Sequence, residues 1–155
     1  MKSHSAQSLL DQIDLSIRDC TSIPSTHFGI ESYLAKYLVV FISGIYEESI
    51  ETIINEMVGN LGNSDVSSYV KEVLSRNFQN PSFDNITQLI KKYRNNTWNN
   101  RLAAIPLIAR DSINSIVENK NSIAHGSPVT VTVRDVIIYY NESKIVIETI
   151  DDMIL

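Results

Sequence analysis

The sequence predicts one soluble, mostly α-helical domain, and three observations point there. Apolar residues recur at helical spacing in successive segments from Leu9 to Val117. One of those segments, Ile30 to Met57, is long enough for a helix of roughly 40 Å at about 1.5 Å per residue. The chain has 155 residues, 43% hydrophobic and 20% charged, with only 5 Gly and 4 Pro. That size and composition suit a single domain over 1–155 whose core needs no disulfide or metal staple.

The elements follow in order. Leu9, Leu10, Ile13 and Ile17 give a first helix from about Ala6 to Arg18, and Thr21 to His27, with Pro24, reads as a loop. In the long second helix Ile30, Leu34, Tyr37, Phe41 and Ile45 step by four and three, and Ile50, Ile53, Ile54 and Met57 continue an apolar face. Gly44 within it marks either a close helix approach or a kink. Gly59 to Ser64 is a stop, after which Ser64 or Asp65 would cap a helix through about Leu74. Asn80-Pro81-Ser82 breaks the chain before a shorter helix from about Phe83 to Tyr93. Asn95, Asn96, Asn99 and Asn100 around Thr97 and Trp98 read as a polar turn. Pro106 suits the first turn of a helix that carries Leu107, Ile108, Ile113, Ile116 and Val117 and ends near His125, with Gly126 and Pro128 closing it.

The last segment fits two templates. Thr130 to Val133, Ile137 to Tyr140 and Lys144 to Ile147 have the composition of a β-hairpin turning at Asn141-Glu142-Ser143. Val136, Tyr140, Ser143, Ile147, Ile150 and Ile154 also keep helical spacing, with Thr132 and Asp135 placed as an imperfect capping box. Residues alone leave both open.

The formal net charge of -5 argues against a sequence-blind nucleic-acid binder but leaves room for a local basic site. Lys91, Lys92, Arg94, Arg101 and Arg110 form such a cluster, with a solvated helix face as its ordinary reading. No apolar run spans a bilayer and the N-terminus lacks a signal peptide's apolar core, so no membrane association and a cytoplasmic location are expected. Cys20 is the one cysteine and reads as an apolar filler. The histidines, His4, His27 and His125, show no zinc spacing, and no glycine-rich phosphate loop or nucleophile elbow is present; no metal and no cofactor are expected.

Chemistry concentrates in Lys120-Asn121-Ser122-Ile123-Ala124-His125-Gly126. Asn121 and His125 share a helix face, and Lys120 lies roughly 140° around from His125. The negative end of the helix dipole favours a protonated imidazole, and a histidine titrating near neutrality can give or take a proton. A cation, an amide and an imidazole can together move the proton of a ribose 2′-OH and stabilise charge on phosphoryl oxygens. The same residues also make an ordinary helix C-terminal cap, with Lys and His opposing the dipole.

The segment resembles the signature of HEPN domains, an Arg followed four to six residues later by His, often Arg-Asn-x-x-x-His. Asn121-x-Ile123-Ala124-His125-Gly126, preceded by Asp111 to Val117, is most similar to the RiboL-PSP type. The resemblance covers nearly the whole chain, with the early helix bearing Glu47-Glu48-Ser49-Ile50-Glu51 and a closing segment from Val131 to Ile154. It implies an all-α antiparallel bundle of four to five core helices with a helical last segment. It also implies a homodimer placing two motifs in one cleft, and a metal-independent endoribonuclease in toxin–antitoxin or antiviral systems, with an antitoxin or other protein as possible partner. His125 matches the family's catalytic histidine and Asn121 its polar residue, while Lys120 stands where the arginine belongs. Lysine keeps the charge and loses the planar fork. One of Glu47, Glu48 and Glu51 is a candidate for an acidic residue touching the motif. Trp98 can stack on a base and Arg101 and Arg110 can meet phosphates in an RNA substrate. The alternative is a catalytically silent interaction domain that binds a partner protein or a nucleotide.

Overall fold

A computed structural model describes residues 1–23 and 28–155, so Pro24 and His27 of the expected first loop lie outside the described residues. The described residues form seven helices and no strand: α1 (His4–Ser22), α2 (Phe28–Gly59), α3 (Ser64–Asn77), α4 (Phe83–Lys91), α5 (Asn96–Ala103), α6 (Leu107–Ala124) and α7 (Val133–Ile154). α1, α2, α6 and α7 are the bundle proper. α6 packs on α7, and α2 meets α1, α6 and α7. α3 folds back on α2, while α4 and α5 bridge to α6 and α7. Among the described residues no helix is long and apolar enough to cross a membrane.

The last segment is helix, and the β-hairpin template is overturned. Every member of its helical stripe is buried: Val136, Tyr140, Ser143, Ile147, Ile150 and Ile154. The polar member, Ser143, meets the Tyr46 hydroxyl of α2 at 2.8 Å, so its burial leaves no orphaned hydroxyl. Ile138 and Ile145, which a hairpin pattern also uses, are left exposed on the outer face. At the start of α7 the capping box is complete: Asp135 N–H donates to Thr132 Oγ1 at 3.2 Å, and Thr132 N–H donates to Asp135 Oδ2 at 2.9 Å.

This cap gives a stability prediction. Thr132→Ala is expected to destabilise the protein by about 1 kcal/mol, read as a fall in melting temperature. Hydrogen bonds from Thr132 hold the Asp135 carboxyl below its ordinary value of 3.8. A depressed folded value means the stabilisation is complete above the unfolded value and is lost as pH falls through the folded one. The Thr132→Ala penalty should therefore be full above about pH 4 and shrink in more acid solution. A penalty unchanged at low pH would contradict the charged capping box.

Other expectations need correction. The Asn95–Asn100 turn is helix α5. Asn95 Oδ1 accepts from the backbone N–H of Thr97 and Trp98, and Leu102 is buried. The cap of α3 is Asn63 rather than Ser64 or Asp65, and α3 runs on past Leu74 to Asn77. Pro106 is the residue before α6, not inside its first turn. On α2 the expected Ile45, Ile50, Ile53 and Ile54 are buried, but in its first half the core is entered by Ala35, Leu38, Val39 and Ile42, whereas Ile30 and Tyr37 are exposed. Gly44 is exposed, with nothing near the place a Cβ would occupy, so it allows no close approach within the protomer. Cys20 is buried as expected, and burial, followed by the neighbouring Asp19, pushes its thiol up.

Candidate active site at the end of helix six

α6 ends in a closed cap formed by the motif's own backbone. His125 N–H donates to Asn121 O at 3.0 Å, Gly126 N–H to Ile123 O at 3.1 Å, and Ser127 N–H to Ser122 O at 2.9 Å. The last closure turns on Gly126, whose φ of +70° is open to glycine and strained for other residues. Three carbonyls at the helix end are thus satisfied without side chains. His125 is exposed, Asn121 is half-buried, and the groove beyond is formed by Val129 to Thr132 against Glu31 and Ser32 of α2. The segment that follows the motif therefore lies beside the first turns of α2.

Lys120 is half-buried one turn earlier, and its ammonium donates to the side-chain oxygen of Asn80. Asn80 lies in the connector between α3 and α4, and every polar backbone group of that residue is engaged. Its N–H donates to Glu47 Oε2 of α2 at 3.0 Å. Its carbonyl accepts from Ser82 N–H and from Asn85 Nδ2, both at 2.8 Å. The connector is fixed to α6 a second time where Phe83 N–H donates to Asn114 Oδ1 at 2.9 Å. Of the three candidate carboxylates, then, Glu47 is the one that reaches the motif, through Asn80. Glu51 is pushed up by burial and by the like charges of Glu47 and Glu48, and Glu48 and Glu51 line a separate groove with Ser5 and Lys71.

Arg101, Arg110 and Trp98 make internal contacts. Arg101 Nη2 pairs with Asp152 Oδ2 at 2.6 Å and joins α5 to α7. Arg110 donates to the carbonyls of Ile105 at 2.8 Å and Ala103 at 2.5 Å, closing the end of α5, and its guanidinium sits 4.9 Å from the Phe83 ring centre. Trp98 is half-buried against Tyr93, ring centres 5.6 Å apart. The structure does not bring these three to the end of α6 where His125 stands. Among the described residues no group of three or more His, Cys, Asp or Glu side chains could hold a metal ion. Asn80 is the site residue that sequence reasoning missed; an asparagine before a proline signalled only a break.

A sequence model of the RiboL-PSP-HEPN family matches residues 6–155. The chain belongs to the RiboL-PSP-HEPN family. No curated protein and no solved structure gives a match. The match runs from α1 to the last residue of the chain, so the RiboL-PSP-HEPN unit includes the long α2, the end of α6 and the closing α7.

Proposed function

We propose that this RiboL-PSP-HEPN chain is a metal-independent endoribonuclease that cuts RNA by attack of a ribose 2′-OH on the adjacent phosphodiester, at a cleft between two copies. The observation that supports this reading is an ammonium, that of Lys120, held by the Asn80 side chain five residues before an exposed histidine at the end of the same helix. His125 moves the proton, Lys120 offers charge to the phosphoryl oxygens, and Asn121 orients the imidazole or the substrate. Asn80 takes one of the three donors of Lys120, and two remain for phosphate. Toxin–antitoxin or antiviral defence in the cytoplasm, with a neutralising protein partner, is the setting that suits such an activity. The test is incubation of the purified protein with structured and unstructured RNA in excess chelator. Cleavage is the expected result, and RNA left whole by the protein overturns the reading.

The second copy has a chemical reason. Transesterification needs a base at the 2′-OH and an acid at the departing 5′-oxygen, and two motifs in one cleft bring two imidazoles to one phosphodiester. α2 offers a surface for it. Ile30, Tyr33, Tyr37 and Val40 form an outward apolar stripe, with Tyr33 75% and Tyr37 50% exposed. The stripe starts beside Glu31 and Ser32, which face the loop that follows the motif. Contiguous exposed apolar surface of this kind marks an interaction site. Tyr37→Glu is expected to reduce the mass measured in solution from twice 17.5 kDa to the protomer and to lower cleavage with it. A wild type that is monomeric while fully active would contradict the shared cleft.

One observation favours a second reading, a catalytically silent domain that binds a partner protein or nucleotide: the α2 stripe would serve another protein as readily as a second copy. Stable binding without RNA cleavage is its expected result.

A further inference from the structure

The α3–α4 connector holds a backbone outlier that local preference does not explain. Asn80 has a φ of +57° and stands directly before Pro81. Asparagine tolerates the left-handed region better than most residues, but a residue before proline is pushed toward extended backbone. Such a conformation persists where surrounding contacts over-determine it, and outliers of this kind gather at functional sites. Here the contacts come from three directions: Glu47 of α2 on the N–H, Asn85 of α4 and Ser82 on the carbonyl, and Lys120 of α6 on the side chain. Pro81 is buried, which anchors the chain immediately after it. The amide orientation is fixed by chemistry, because an ammonium only donates and must face the carbonyl oxygen.

Lys120 has a need that this geometry meets. An arginine at that position would carry a planar fork, pre-organised toward phosphate. Lysine is a point charge on a flexible stem, so its ammonium must be placed by something outside the residue. We infer that Asn80 is the positioning residue for Lys120: its left-handed backbone, fastened by Glu47, aims an amide oxygen that fixes the ammonium, and the Asn80–Lys120 pair does the work of a single arginine. This rests on the nuclease reading above. Glu47 acts on the connector rather than on substrate, since its carboxylate holds the Asn80 N–H.

The test is a double-mutant cycle on RNA cleavage in excess chelator, with kcat and KM measured separately for the wild type, Asn80→Gly, Lys120→Arg and the double variant. Glycine keeps the left-handed backbone and removes the amide. Asn80→Gly is expected to lower kcat by about 10- to 100-fold, with KM within about 2-fold, as for a misplaced group in the transition state. In the Lys120→Arg background the same change should cost less than about 3-fold, because the guanidinium brings its own geometry. Asn80→Asp, which keeps the shape of the loop but neutralises the ammonium, should also lose kcat. An equal loss in both backgrounds marks Asn80 as merely structural and overturns the inference, as does wild-type kcat in Asn80→Gly. A wild type that leaves RNA whole overturns the nuclease reading itself, an outcome distinct from an active wild type whose Asn80 variants show no coupling to position 120.

Discussion

His125→Ala is expected to lower RNA cleavage by about 10²- to 10⁴-fold, the range for loss of a general acid or base, while leaving the fold intact. The two halves of that expectation rest on different features of one residue. The backbone of His125 closes α6 through its N–H to Asn121 O, which alanine keeps. Its φ of -89° and ψ of 5° are open to alanine, and its side chain is exposed, so stability should change by no more than about 0.5 kcal/mol. Activity and stability therefore separate at this position. If two copies share the cleft as proposed, a mixed dimer with wild-type subunits keeps one imidazole per cleft, and its cleavage should fall well below half. Melting temperature and far-ultraviolet circular dichroism alongside the cleavage assay check both halves. Unchanged cleavage in His125→Ala would remove the end of α6 from the chemistry.

The largest stability effect is expected at Asp151, at the other end of the bundle. Asp151 is fully buried near the end of α7, where its Oδ1 accepts from Ser3 N–H at 2.8 Å and its Oδ2 from Lys2 N–H. Ser3 in turn caps α1, accepting from Ala6 N–H at 2.9 Å, and donates to Glu56 Oε1 of α2 at 2.9 Å. One carboxylate thus fixes the entry of α1 against α7, and the serine it holds ties that entry to α2. Asp151→Ala leaves a buried N–H without an acceptor and loosens the cap, which should cost about 2–4 kcal/mol. For a chain of this length that corresponds to a fall of roughly 5–15 °C in melting temperature. Asp151→Asn keeps one acceptor oxygen and should fall between the two. A melting temperature within a degree of wild type for Asp151→Ala would show that this junction contributes little to stability.

How much of this was legible in the sequence depends on how far apart the cooperating residues lie. The motif could be located because Lys120, Asn121 and His125 lie within the last turns of one helix, where sequence spacing sets relative position. The closing helix was readable only as one of two templates. Propensity favoured strand and periodicity allowed helix, and burial decided, since the stripe from Val136 to Ile154 packs as one face while Ile138 and Ile145 stay outside. α5 was hidden because asparagines resemble turn residues. Asn95 is a cap, however, and Trp98 packs on Tyr93 while Arg101 pairs with Asp152, tertiary contacts that override local preference. α2 misled for a different reason. Apolar residues surround its first half, so periodicity alone could not separate the seam into the core from the stripe facing out. Asn80 lies forty positions from Lys120, and its contact with that residue forms only once α3 has folded back on α2 and brought the connector to Glu47. Nothing at its own position in the sequence announces that.

Transesterification on RNA at the end of α6 without a metal ion, as proposed, is tested most directly by the chemistry of the product ends. RNA of defined sequence is incubated with the purified wild-type protein in excess chelator, and the termini of the fragments are identified by mass. Attack of the 2′-OH leaves a 2′,3′-cyclic phosphate on one fragment and a 5′-hydroxyl on the other, and that pair of ends, lost in His125→Ala, is the expected result. Fragments carrying 5′-phosphates, formed only when a divalent cation is restored, would contradict it.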